Sequence, residues 1–125
     1  MSTEINNEQE NEREKIAMIA MQIVIHAGDA RNLIMEALDE ISEFKFAEAE
    51  IKLKEAQEKI REAHIYQTEV IQAEASGKVF SYSLLFSHAQ DTVMTICTEL
   101  NMAKKLCGMF KKLDKRFAKL ESQGE

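Results

Sequence analysis

His88 and Asp91 sit three residues apart in the run Ser87-His88-Ala89-Gln90-Asp91, inside a long stretch without proline. On an α-helix that spacing places both side chains on one face, about 60° apart at roughly 100° per residue. A neutral imidazole is a competent nitrogen nucleophile near neutral pH, so a histidine presented this way is able to accept and donate a phosphoryl group. The ordinary role of a helical histidine is structural, held by hydrogen bonds. His26 and His64 read that way. His88 differs because it projects away from the apolar stripe of its helix and shares its face with Asp91 and Thr95.

Other chemistries fail on the residues. A di-iron carboxylate bundle needs Glu-x-x-His pairs, and the sequence has none. Closely spaced cysteines and histidines for zinc are missing too, as is the Gly-x-Ser-x-Gly elbow of a serine hydrolase. The four glycines, Gly28, Gly77, Gly108 and Gly124, are too scattered for a phosphate-cradling loop. A formal net charge of −6 disfavours nucleic acid, which needs a cationic surface. The charge is uneven, with Glu4, Glu8, Glu10, Glu12 and Glu14 near the start and seven cations from Lys104 to Lys119. The basic end suits the negative end of a helix dipole.

The elements that must carry His88 follow from periodicity. The chain has 125 residues and no proline, which permits long helices in one domain. Residues 1–13 show no apolar repeat and are expected to be a disordered acidic tail, as are residues 121–125 at the other end. Residues 14–120 then form the single domain. A first helix is predicted from about Glu14 to Glu40 on the stripe Ile16, Ile19 or Ala20, Ile23, Ala27, Ala30, Ile34, Leu38. Gly28 interrupts it, and close approach of a neighbouring helix would account for it. A second helix is predicted from Phe46 to Ala75, with Gly77 as its left-handed terminator. A third, capped by Ser81 or Ser83, runs to about Lys119. The fold class is all-α, an antiparallel three-helix bundle.

The third helix has two stripes. Phe86, Ala89, Val93, Ile96, Leu100, Ala103, Cys107 and Phe110 make an ordinary core stripe. About 145° away runs another, with Leu84, His88, Asp91, Thr95, Met102, Leu106, Met109, Leu113 and Leu120. Two readings stand: self-association through this helix, or one broad face packing both neighbours. Cys97 and Cys107 lie about 15 Å apart along that helix, too far for a disulfide, and read as reduced thiols of a cytoplasmic protein. The chain shows neither an apolar run of spanning length nor a signal-peptide pattern, so no membrane insertion is expected.

Three blocks resemble a known family. Leu84-Leu85-Phe86-Ser87-His88-Ala89-Gln90-Asp91-Thr92-Val93-Met94-Thr95 is similar to the signature L-L-x-x-H-A-Q-D-H-L-M-T of the lactose/cellobiose-type enzyme IIA components of the bacterial sugar phosphotransferase system. His26-Ala27-Gly28-Asp29-Ala30-Arg31 resembles that family's H-A-G-x-A-R. Ala63-His64 with Gln67-Thr68, then Glu74-Ala75 and Gly77, resembles its A-H-x-x-Q-T and the ending of its second helix. The blocks follow in order between Ile16 and Leu113.

The resemblance implies a homotrimer of three-helix bundles. It implies that His88 takes phosphate from phospho-HPr, through Nε2, and passes it to a cysteine of a cognate IIB protein for uptake of a β-linked disaccharide of the lactose, cellobiose or chitobiose type. It implies that Asp91 lies near the threefold axis, where three copies share one Mg²⁺. One departure stands out: Thr92 occupies the place of the family's second motif histidine, with Val93 for leucine. The competing reading is a helical oligomeric adaptor without chemistry. A histidine phosphotransfer domain of two-component signalling would need a four-helix bundle and lacks the three blocks.

Overall fold

The computed structural model describes residues 2–124, which form three helices: α1 (Ser2–Ser42), α2 (Phe46–Ala75) and α3 (Leu84–Gly124). No strand occurs among the described residues. Polar pairs fix the directions. Lys52 of α2 meets Glu36 of α1 at 2.9 Å and Glu62 meets His26 at 3.2 Å, so α1 and α2 are antiparallel. Lys111 and Lys104 of α3 meet Glu50 and Gln57, so α2 and α3 are antiparallel as well. Arg31 meets Glu99, which sets α1 beside α3, and since both are antiparallel to α2 they run in the same direction.

The core brings together one apolar stripe from each helix. Ile16, Ile19, Ala20, Ile23, Ala27, Ala30, Ile34, Ala37 and Ile41 are buried on α1. Leu38, expected in that stripe, is only half-buried, because Ala37 and Ile41 carry the seam at that end. On α2 the seam Ala49, Leu53, Ala56, Ile60, Ala63, Gln67 and Val70 alternates small and large residues, which lets helices approach closely. On α3, Ala89, Val93, Ile96, Leu100, Ala103 and Cys107 complete it. Ile23 and Ile96 are fully enclosed. Truncating either to alanine is expected to cost about 2–5 kcal/mol.

Both inter-helix connections begin with the same backbone device. At the end of α2, the Lys78 N–H donates to the Ala73 carbonyl and the Gly77 N–H to that of Glu74. Gly77 takes φ +103°, as its place after the helix predicts. At the end of α1 the Lys45 N–H donates to the Glu40 carbonyl and the Phe44 N–H to that of Ile41. Here the left-handed residue is Phe44, at φ 60°. Its ring lies 5.8 Å from that of Phe46 and 6.0 Å from that of Phe110, an aromatic cluster that offsets the strained backbone.

Three expectations need correction. Residues 2–13 are helical rather than a loose tail, because glutamate, glutamine and arginine sustain a helix and neither glycine nor proline interrupts them. Residues 121–124 likewise continue α3. Met1 and Glu125 of the two expected tails lie outside the described residues. Finally, no neighbouring helix crowds Gly28: a Cβ there would meet nothing within 4 Å.

Candidate functional site: an exposed histidine on α3

The site begins with a cap. Ser83 Oγ accepts the N–H of Phe86 at 3.1 Å, so Ser83, not Ser81, starts α3. His88 follows just past the first turn, and Asp91 one turn further. Both are exposed. Behind them Ala89 and Val93 are completely buried, so the backbone bearing the imidazole is anchored in the core. Leu84 and Leu85, four and three residues before His88 and so on its side of the helix, are 73% and 37% exposed.

The threonines of this face are occupied with the helix itself. Thr92 Oγ1 donates to the His88 carbonyl at 2.8 Å, and Thr95 Oγ1 to the Asp91 carbonyl at 2.8 Å. Thr92, in the place of the family's second histidine, thus directs its hydroxyl to backbone rather than toward a ligand. Ser87 and Gln90 of the same motif turn the other way and line a cleft of about 330 Å³ with Phe80, Tyr82 and Glu74. His88 does not line that cleft. It stands on an open helix face suited to a macromolecular partner rather than a small substrate.

The structure does not bring the three histidines together. His26 is a clamp between helices: Nδ1 lies 2.7 Å from the Gln22 carbonyl oxygen, and Nε2 lies 3.2 Å from Glu62 Oε2. Its ring sits 5.6 Å from that of Tyr66. Glu62 and Tyr66 share a face of α2 at i, i+4, but which helix they meet was not legible from one sequence. His64 is exposed on α2.

The second stripe of α3 is not covered by α1 or α2. Met102, Met109 and Leu120 are 62%, 58% and 63% exposed. A single broad face packing both neighbours is therefore excluded, since the core stripe alone does that work.

The chain's residues 18–111 match the family model described as the lactose/cellobiose-specific IIA subunit of the phosphotransferase system. The chain belongs to this family. The lichenan-specific phosphotransferase enzyme IIA component of Bacillus subtilis is 37% identical over 100 residues, 80% of this chain and 91% of that one. Among solved structures, the cellobiose-specific enzyme IIA of Bacillus anthracis is 40% identical with a TM-score of 0.75, over 78% of this chain and 90% of that one. The IIA(chitobiose) of Escherichia coli, solved in complex with HPr, is 30% identical with a TM-score of 0.69, over 79% and 96%. This chain is thus a IIA component of the phosphotransferase system. Beyond residues 18–111 it carries helical extensions at both ends.

Among the described residues no group of three or more His, Cys, Asp or Glu side chains is placed to hold a metal ion. Asp91 offers one hard-oxygen ligand of the type that suits Mg²⁺.

Among the described residues, no helix is long and apolar enough to cross a membrane.

Proposed function

We propose that this IIA component is the phosphoryl carrier of a disaccharide uptake system, with His88 as its phosphorylated residue. The observation that carries the reading is an exposed imidazole on a rigid helix, inside the family's own His-Ala-Gln-Asp motif. In the first transfer, an imidazole nitrogen of His88, Nε2 on the family pattern, attacks phosphorus of phospho-HPr. The P–N bond to the HPr histidine breaks as the new P–N bond forms. In the second, a IIB cysteine thiolate takes the phosphoryl group and His88 is released. Such transfers need in-line positioning and charge stabilisation rather than a protein base. The N-terminal end of α3, just over one turn away, favours the added negative charge. Leu84 and Leu85 provide an apolar rim that limits water access when a partner docks.

The working assembly is a cytoplasmic homotrimer built on the second stripe of α3. That stripe is exposed in the single chain and needs a partner. Around a threefold axis the three copies of Asp91 would repel one another, and a Mg²⁺ held between them would offset that charge. The sugar class is a β-linked disaccharide, in keeping with the cellobiose and chitobiose in the names of two relatives.

Incubation with phosphoenolpyruvate, enzyme I and HPr tests the carrier role. Acid-labile phosphate is expected on the wild-type chain and none on His88→Ala. A wild-type chain that gains no phosphate would make it the helical adaptor instead.

A further inference from the structure

The seven cations from Lys104 to Lys119 all fall on one face of α3, within about 140° of arc at roughly 100° per residue. Asp114 and Glu121 fall on the other side of the helix. The helix dipole does not account for this face. α3 runs on to Gly124, its last turn holds no base, and the dipole's effect fades within that turn.

Gly108 stands at the middle of the basic face. A glycine in a helix interior costs about 1 kcal/mol relative to alanine. No neighbour in the chain requires it, since a Cβ there would meet nothing within 4 Å. Its effect is to leave backbone uncovered beside a groove of about 300 Å³ between α2 and α3. The buried Leu53 and Cys107 give that groove an apolar floor, and Lys54, Lys104 and Lys111 line it from both helices. Lys104 donates to Gln57 Oε1, and Lys111 pairs with Glu50, so two of the three ammonium groups are held across the groove. An ammonium has three donors, and each of these two keeps two for a ligand.

We propose that this groove binds a sugar phosphate, its phosphate dianion held by Lys54, Lys104 and Lys111 and its ring set against Leu53, Cys107 and the bare backbone of Gly108. The choice of a sugar ester rests on the uptake role proposed above, because a sugar phosphotransferase system ends with its phosphoryl group on the sugar. The donor set agrees with it. Glu50 also lines the groove, where its carboxylate repels a bare anion but accepts hydrogen bonds from hydroxyls. The other cations of the face raise the local potential and draw a dianion in, although the whole chain is anionic.

The groove is separate from the site on His88. Gly108 lies twenty residues further along α3, about 30 Å away. It is also turned about 140° around the helix from the middle of the second stripe, so a trimer built on that stripe leaves the groove open.

The test titrates the full-length chain with glucose 6-phosphate, inorganic phosphate and glucose, following the amide signal of Gly108 by nuclear magnetic resonance. Glucose 6-phosphate is expected to shift that signal saturably, inorganic phosphate to bind at least threefold more weakly, and glucose not to bind. Gly108→Leu keeps every charge and puts a side chain into the groove, where the space around Gly108 lets the bundle fold, as circular dichroism checks. It is expected to weaken glucose 6-phosphate at least tenfold, by isothermal titration calorimetry. The pair Lys54→Gln and Lys104→Gln, both exposed side chains, is expected to do the same. Lys119→Gln, on the same face but away from the groove, is expected to change the affinity less than twofold. Binding that survives Gly108→Leu overturns the site in favour of diffuse charge on the basic face. Inorganic phosphate that binds as tightly as glucose 6-phosphate overturns the sugar ester. A chain that takes phosphate from HPr but binds no glucose 6-phosphate overturns this site alone. A chain that binds glucose 6-phosphate but takes no phosphate from HPr overturns the carrier role and leaves the groove standing.

Discussion

Arg31 of α1 grips Glu99 of α3 at two points, Nε donating to Oε2 at 3.0 Å and Nη2 to Oε1 at 2.9 Å. The hydrogen bond to Glu99 is the main reason the guanidinium is held above its ordinary range, against the opposing effect of burial. A raised folded value means the contribution is complete below the unfolded guanidinium range and lost only as pH rises through the folded one. It therefore does not vary with pH near neutrality. Salt is the effective lever, since both side chains are more than a third exposed. Arg31→Ala is expected to cost about 1 kcal/mol at low ionic strength, less at 1 M salt, by urea denaturation. An equal loss at both salt concentrations would point to lost packing of the arginine stem instead.

Gly28 occupies a helix interior with open space where a Cβ would stand. Nothing in the chain requires glycine there. Gly28→Ala is expected to raise the stability of the bundle by about 1 kcal/mol, because alanine loses less backbone entropy on folding. A rise in Tm checks this. A fall would mean that another molecule packs against α1 at that point.

Phe44 combines a left-handed backbone with two ring contacts. Phe44→Ala removes the ring and keeps the strain, whereas Phe44→Gly removes both. The glycine variant is expected to be the more stable of the two by about 1 kcal/mol, which chemical denaturation of the pair measures directly. Equal stabilities would show that the turn relaxes out of its positive φ once the ring is gone.

The difference between the two turns explains what the sequence made legible. Gly77 marks the end of α2 because glycine is the residue that a positive φ favours, and the end of the helix at Ala75 followed from it. Phe44 does the same for α1 with no such sign, since its compensation lies in two rings met only in the fold. The core stripes were readable because burial on a helix repeats every three or four residues. The stretch from Ser2 to Arg13 was not, because it is helical without burying a face, and only propensity signals that. His88 and Asp91 were legible as neighbours on one face because they share a helix. The His26–Glu62 and Arg31–Glu99 pairs join different helices, and periodicity within a helix says nothing about which residues meet across the bundle.

The two thiols differ in access. Cys107 is 4% exposed and burial pushes its thiol up from the ordinary range, whereas Cys97 is half-buried. A raised thiol contributes stability that is complete below its unfolded value of 9.0 and is lost as pH rises through the folded one. Cys97 is expected to react with iodoacetamide well before Cys107 at mildly alkaline pH, since the thiolate is the nucleophile and must be reachable. Mass mapping of the alkylated chain decides it. Cys107 labelled as fast as Cys97 would mean that this end of the bundle opens readily.

Asp91 provides the sharpest test of the proposed trimer axis. Its carboxylate is exposed in the single chain, so it carries no obligation to the core. Three such charges brought together cost free energy unless a cation or a proton compensates. A chelator is therefore expected to weaken the wild-type trimer. Asp91→Asn removes the repulsion and the hard-anion ligand together, so its trimer is expected to persist with EDTA present and to gain nothing from added Mg²⁺. Sedimentation equilibrium of both proteins, with and without EDTA, measures four association constants. An equal response of the two proteins to EDTA would place any bound cation away from Asp91. A trimer weakened by Asp91→Asn in every condition would mean that the carboxylate holds a contact between copies and does not face like charges at an axis.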